Sequence, residues 1–403
     1  MIARLEGSHI VLPGLATAHS HAFQRALRGR TQRASGSFWS WRGLMYRLAE
    51  RLDPESIHAI SRLAFIELAR SGVTAVGEFH YVHHQPDGTP YASRTELADA
   101  VIRAALDAGL RIALLRVIYA RPGFGRSPEG AQRRFCDADV EHALRDAETL
   151  LATYAGEPRV TVGLAPHSVR AVPMAWIREA AVFASQRGLP FHMHVSEQRR
   201  EIRECLAELG ARPVRALADH GVLSDRFVAV HATHLDDGEV RALGAANAYA
   251  CLCRTTERDL GDGAPRTADL VRSGTRLCFG VDSHASSDPF EEARAAELDE
   301  RTRLEGRCVA LDAPALLEAS ATHGYASIGM SGLEARDEVR LDANALPLVG
   351  AATDSLDDAV MFGAVGSTVE RVSVDGRAIV EGGEHPLARA ASESFVRALG
   401  ALL

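Results

Sequence analysis

His19 and His21 stand two apart in AHSH, His194 closes FHMH, and Asp282 closes GVD. In an extended strand residues i and i+2 point to the same side, so both histidines of HSH can chelate one ion. His194 adds a third nitrogen and Asp282 an oxygen. This N3O set suits Zn2+ or a similar borderline divalent ion. HxH alone is a weak signal, but joined to a histidine and an aspartate that end other apolar runs it predicts a metal centre. Such an ion lowers the pKa of a bound water from about 15.7 to about 7 in favourable zinc sites, which points to hydrolysis. The chain has no lysine, since all 45 of its basic residues are arginine. No carboxylated lysine is therefore available to bridge two ions, and one ion per chain is expected.

These residues need a scaffold that brings many strand ends together. Short apolar β-branched runs alternate with amphipathic segments rich in Ala, Leu, Arg and Glu, the pattern of consecutive βα units. Eight runs qualify: IVLPGLATA before His19, VTAVGEF from Val73, RIALLRVIY from Arg111, VTVGLAP from Val160, PFHMHV from Pro190, FVAVHA from Phe227, AYACLC from Ala248 and RLCFGVD from Arg276. Asp53-Pro54 and Asp236 read as helix starts, Gly109 and Gly188 as stops. The predicted class is α/β, a (β/α)8 TIM-like barrel, whose site sits at the C-terminal ends of the strands. Eight of the 17 histidines fall in the segments closing these runs, at six different ends. The closing segments are His19–His21, Glu78–Tyr81, His167–Arg170, His194–Glu197, His231–His234, Thr255–Glu257 and Asp282–His284.

Past the eighth run the texture changes. EVRLDANALPLVGA and STVERVSVDGRAIVEGG alternate apolar and polar residues around an Asp375-Gly376 turn, as strands of a small antiparallel sheet would. The expected division is a short remnant of a β appendage over 1–11, the barrel over 12–330, and a small β segment with a terminal helix over 331–403.

With 45 basic and 53 acidic residues the formal charge is −8, and no basic stretch exceeds two or three residues, so a nucleic-acid partner is not expected. No apolar run approaches the roughly 20 residues of a membrane helix, and the N-terminus lacks the order of a signal peptide. A cytoplasmic enzyme without membrane contact is expected. The six cysteines form no CxxC pair and suggest neither a disulfide framework nor a thiolate zinc site. A homodimer is the expectation from general oligomer frequencies.

The order HSH, HVSE, HATH, VDSH resembles the amidohydrolase superfamily in its mononuclear deaminase branch. Within it HSHAFQRALRG, SFWSWRGLMYRL, VTAVGEFHYVHH, HSVRAV, HVSEQ, VHATHL, TTERDLGDG and DSHA are similar to formimidoylglutamate deiminases of histidine degradation, from about Leu12 to about Arg303. That resemblance implies hydrolysis of N-formimino-L-glutamate to N-formyl-L-glutamate and ammonia. His19, His21, His194 and Asp282 would hold one divalent ion, expected to be Zn2+. Asp282 would take the proton of the attacking water, Glu197 would shuttle it to the leaving nitrogen, and His231 would polarise or orient the nucleophile. A substrate with two carboxylates calls for guanidinium forks, for which Arg170 and Arg42 in the SFWSWR loop are the candidates. Tyr81, Gln24 and His167 resemble the remaining pocket residues of the family, and Trp39 and Trp41 either wall the pocket or pack in the core. His234 is left outside the catalytic set, and Glu257 is read as a loop-fixing carboxylate without a chemical step.

Two departures from the family stand out. Only 18 residues precede HSH where relatives carry some dozens, so the β-sandwich appendage is expected to be shortened at its N-terminal side. Arg254 stands where many relatives have proline before Thr-Thr-Glu, and a differently shaped loop after strand seven is expected. The competing readings are a deaminase of a purine, pyrimidine or guanidino substrate, and a metal-free barrel kept as a scaffold.

Overall fold

The order of barrel strands is set by how the apolar runs pair. The computed structural model describes residues 2–32 and 38–402. Strands β3 (Leu15–Ser20), β4 (Val73–His80), β5 (Arg111–Ile118), β6 (Val160–Pro166), β7 (Phe191–Val195), β8 (Phe227–His231), β9 (Tyr249–Leu252) and β10 (Arg276–Phe279) lie side by side in sequence order, every neighbouring pair parallel. Beyond β10 the chain returns to β3. Asp282 N donates to His19 O at 3.0 Å and His21 N donates to Asp282 O at 2.8 Å, which closes the barrel at the end where the site lies. The fold is therefore the (β/α)8 barrel expected, its strands buried on both faces as parallel strands covered by helices must be.

The appendage is a five-stranded antiparallel sheet, ordered β1-β2-β11-β12-β13, with β1 (Arg4–Glu6), β2 (His9–Pro13), β11 (Glu338–Asp342), β12 (Val369–Val374) and β13 (Arg377–Glu381). It is one sheet rather than a sandwich. The run IVLPGLATA, read as one strand, is two: β2 belongs to this sheet and β3 to the barrel. The expected division after residue 11 thus falls inside β2. The break is at Gly14, where a Cβ would sit 2.5 Å from Tyr325 Oη and 2.7 Å from Thr74 Oγ1, so only glycine lets the chain pass.

Helix starts follow their capping residues. Asp53 accepts from Ser56 N ahead of the helix Pro54–Arg70, Asp236 accepts from Glu239 N ahead of Asp237–Ala245, and Gly188 ends Met174–Arg187 at φ +66°. SFWSWR, expected as a loop, instead enters a helix, Phe38–Arg51, that carries Trp39, Trp41 and Arg42; its Ser37 lies outside the described residues. The segment after strand seven is likewise a helix, Arg254–Leu260. Among the described residues no helix is long and apolar enough to cross a membrane.

A buried ion pair fastens the sheet to the barrel. Arg111, at the start of β5, donates from Nε and Nη2 to Asp337 at 2.8 and 2.9 Å, and Tyr325 Oη donates to the same carboxylate at 2.6 Å. Removing one member of a buried pair leaves the other charge uncompensated, which costs about 3–5 kcal/mol. Arg111→Met should lose that much in urea unfolding, and adding Asp337→Leu should restore part of it. A loss under about 1 kcal/mol, the scale of exposed pairs, would show that the joint does not depend on this pair.

Candidate active site

The closure of the barrel brings the ligand-type residues together. The reciprocal backbone bonds between His19, His21 and Asp282 place the two histidines of β3 beside the aspartate that follows β10. Gly280 permits this approach, since a Cβ there would lie 2.7 Å from His19 Cβ. His194 enters from β7, and the donor atoms of His19, His21, His194 and Asp282 all lie within 4.8 Å of one another. Asp282 Oδ1 is 3.3 Å from His19 Nε2 and 3.2 Å from His21 Nε2.

The hydrogen bonds leave the right atoms free for an ion. His21 Nδ1 donates to Phe79 O at 2.9 Å and His194 Nδ1 to His167 O at 3.1 Å. A carbonyl only accepts, so both rings carry their proton on Nδ1 and turn a bare Nε2 inward. Neither ring nitrogen of His19, which is fully buried, has a hydrogen-bond partner of good geometry. A buried polar group left in that state costs about 1–3 kcal/mol, a cost a coordinated cation removes. Burial holds His19 down at about 3 and lowers His21 and His194 as well, so all three rings are neutral at neutral pH, the form that ligates. Burial opposes the Asp282 charge, but the His19, His21 and His231 rings keep its carboxyl below the ordinary range. Three neutral imidazoles and one carboxylate fit a single divalent ion.

Glu197 and His231 face this group. His231 Nε2 lies 3.9 Å from Glu197 Oε1 and 4.0 Å from Asp282 Oδ2, between the two carboxyls. Burial pushes the Glu197 carboxyl up to about 8 against the pull of His231. Burial disfavours charge on His231 too, yet Glu197, Glu257 and Asp282 together raise it to about 10. Five non-glycine residues at these strand ends hold left-handed backbone: Ser196 (φ +53°), His231 (+69°), Ala232 (+51°), Asp282 (+48°) and His284 (+56°). Such conformations cost of order 1 kcal/mol or more each and persist where surrounding contacts impose them, as they do here around a cluster of functional groups.

All five residues expected to meet substrate line one cavity together with His21, His194, Glu197, His231 and Asp282. Gln24 Nε2 donates to Tyr81 Oη at 2.8 Å, and His167 packs against Tyr119 and His194, its ring centroid 4.7 Å from each. Arg170 Nη1 donates to Pro122 O at 2.6 Å and Arg42 Nη2 to the same oxygen at 3.5 Å, so two guanidinium groups converge on one side of the cavity. Arg42 also donates from Nε to Tyr46 Oη at 2.5 Å and stacks on Trp39 and Tyr46. Trp41 lines the cavity, while Trp39 supports Arg42 from behind.

Some lining residues were not anticipated. Tyr119 follows directly on β5 and is legible by the strand-end rule, though its run was taken as plain apolar strand. Tyr46 sits one turn after Arg42 and joins the cavity because that segment is helical. His234 is absent from the cavity lining, and His284 lies beneath the site, its Nε2 2.8 Å from Ser20 Oγ, which itself donates to Glu78 at 2.6 Å.

A model of the amidohydrolase family matches residues 10–378. The chain is 39% identical to the formimidoylglutamate deiminase of Pseudomonas aeruginosa, over 99% of this chain and 90% of that protein. It is 30% identical to the 8-oxoguanine deaminase of the same organism, over 73% of this chain and 65% of that one. Among solved structures, an amidohydrolase from Brucella melitensis superposes with a TM-score of 0.90 at 35% identity, covering 99% of this chain and 95% of its own.

Proposed function

This chain belongs to the amidohydrolase family and is a hydrolase of C–N bonds, and from that premise we propose that it converts N-formimino-L-glutamate to N-formyl-L-glutamate and ammonia, a step of histidine degradation. The observation that carries the reading is the arginine pair. Arg42 and Arg170 meet on Pro122 O in the cavity that His21, His194 and Asp282 also line, which suits a substrate carrying both anionic groups and a reactive amidine. The likeness to a formimidoylglutamate deiminase over nearly the whole chain supports it.

His19, His21, His194 and Asp282 would hold the ion, with Zn2+ as the ion their donor set suits. When bound, it supplies the charge that makes water nucleophilic near neutral pH. Asp282 takes the proton as the water oxygen bonds to the amidine carbon. Glu197 delivers one proton to the terminal imino nitrogen and recovers one from Asp282. The new hydroxyl then gives up its remaining proton, which the carboxyls pass to the same nitrogen, so that the C–O bond becomes the formyl carbonyl as the C–N bond breaks and ammonia leaves. His231 Nε2, between the two carboxyls, orients the water. Arg170 and Arg42 grip the carboxylates, and Gln24, Tyr81 and His167 border the bound chain. One ion per chain is part of this reading. The second grouping of potential ligands, His231, Cys253 and Glu257, is closed by the Arg254 guanidinium, which repels a cation.

A purine ring is the second reading, favoured by Trp41, Tyr46, Tyr119 and Phe135 in the lining and by the likeness to an 8-oxoguanine deaminase. Ammonia release by metal-replete enzyme from N-formimino-L-glutamate, compared with guanine, cytosine and guanidino acids, separates the two. Arg170→Met sharpens the test. The guanidinium touches the part of the substrate that does not react, so kcat/KM should fall at least about tenfold with metal content unchanged. Full activity of that variant, or preference of the wild type for an uncharged ring, would overturn the assignment.

A further inference from the structure

Behind His231 lies a buried charged chain that the reaction scheme does not use, and it rests on the reading above of His231 as the group that meets the water. We propose that Arg254, acting through Glu257, is a positioning residue that fixes the orientation of the His231 ring. His231 Nδ1 lies 3.2 Å from Glu257 Oε1. A carboxylate only accepts, so Nδ1 carries a proton and donates it to Glu257, which turns Nε2 toward Glu197 and Asp282.

The carboxylate that aims this ring is itself held on every side. Glu257 Oε1 also accepts from Cys253 N at 2.9 Å, and Oε2 accepts from Arg254 Nη1. Glu257, His231 and Arg254 are 0%, 1% and 3% exposed, so no solvent substitutes for these bonds. Arg254 in turn is anchored at its other edge. Its Nε and Nη2 donate to Asp299 Oδ2 at 2.9 and 2.6 Å, and Nη1 donates to Gly263 O at 3.3 Å. Asp299 belongs to the helix Pro289–Leu304 and is also held by Arg258. The guanidinium is thus a bracket between an outer helix and the carboxylate behind the histidine. Without it Oε2 has no donor, the carboxylate is free to swing from Nδ1, and the ring loses what fixes its direction.

The test compares wild type with Arg254→Met, Arg254→Lys, Glu257→Gln and the Met/Gln double variant. It measures kcat and KM on N-formimino-L-glutamate, metal content, and the downfield imidazole N–H proton resonance, assigned to His231 by its loss in His231→Gln. Arg254→Met should lower kcat at least about tenfold, within the 10–100-fold range of residues that orient an active group, with KM within about twofold and metal content unchanged. The resonance should broaden or vanish, and Arg254→Lys should recover part of both. Because the two residues act in series, the double variant should be no slower than Glu257→Gln alone. Wild-type kcat and an intact resonance in Arg254→Met, or losses that multiply in the double variant, would overturn the proposal. If Arg254→Met does not fold, Arg254→Lys and Glu257→Gln decide it, and an unchanged resonance and kcat in Glu257→Gln overturn it. Failure of the wild type to act on N-formimino-L-glutamate would instead reject the substrate, since the resonance comparison needs no turnover.

Discussion

Glu197→Gln is expected to lower kcat by about 10²–10⁴-fold, the usual contribution of a general acid–base group, while the protein keeps its metal, its KM and its melting temperature. The left-handed backbone at Ser196 turns the chain after His194, and Glu197 lines the cavity three residues beyond that ligand. Burial pushes its carboxyl up to about 8, so near neutral pH it carries a proton that it can give to a departing nitrogen. The amide of glutamine fills the same space, but it cannot pass a proton. Metal analysis and a thermal melt beside the kinetics separate loss of chemistry from loss of structure. A variant within a few-fold of wild type would mean that Glu197 only shapes the cavity and that another group moves the proton.

Removing the metal should abolish turnover altogether. A chelated protein would leave three neutral, buried imidazoles and one carboxylate facing one another, with neither nitrogen of His19 in a hydrogen bond of good geometry. Adding Zn2+ back should restore activity along a titration that ends at one ion per chain. It should also raise the melting temperature, because an ion bound only by the folded state stabilises it by about 4 kcal/mol at a thousand times its Kd. Asp282→Asn should behave like the chelated protein even with metal in excess, since it removes both an oxygen ligand and the acceptor for the proton of water. Two tightly held ions, both required for turnover, would contradict the single centre.

Much of this arrangement is legible in the sequence itself. HSH and GVD stand out because a strand has period two and a parallel barrel gathers its strand ends, so histidines two apart at one end and an aspartate at another meet by geometry alone. The residues that escaped did so for equally physical reasons. No change of composition marks Gly14 within HIVLPGLATAHS, although the run spans two sheets; the break follows from the side chains of Tyr325 and Thr74, which are distant in sequence. The stretch from Phe38 holds Trp, Ser and Gly, weak helix formers, and its helix packs Met45, Leu48 and Ala49 into a core that propensity does not report. Arg254 and Glu257 are three apart, a contact spacing only on a helix, so reading that segment as a loop hid the pair.

The small sheet joins the two ends of the chain, and this bears on how the molecule comes into being. Strand β2 lies between β1 and β11, with Pro13 opposite Glu338 and His9 opposite Asp342, and the amide of Ala3 rests on Asp357. During synthesis the segment HIVLP emerges well before β11, its partner on one side, which is more than three hundred residues away. At roughly 5–20 residues per second that delay is tens of seconds. All eight barrel strands are made in that interval, so the barrel can close while Ile10 and Leu12, fully buried in the finished protein, still wait on a strand that has only β1 beside it. The sheet is therefore completed only after all the barrel strands have been made, and the β1–β2 pair is the part most in need of shelter until β11 arrives.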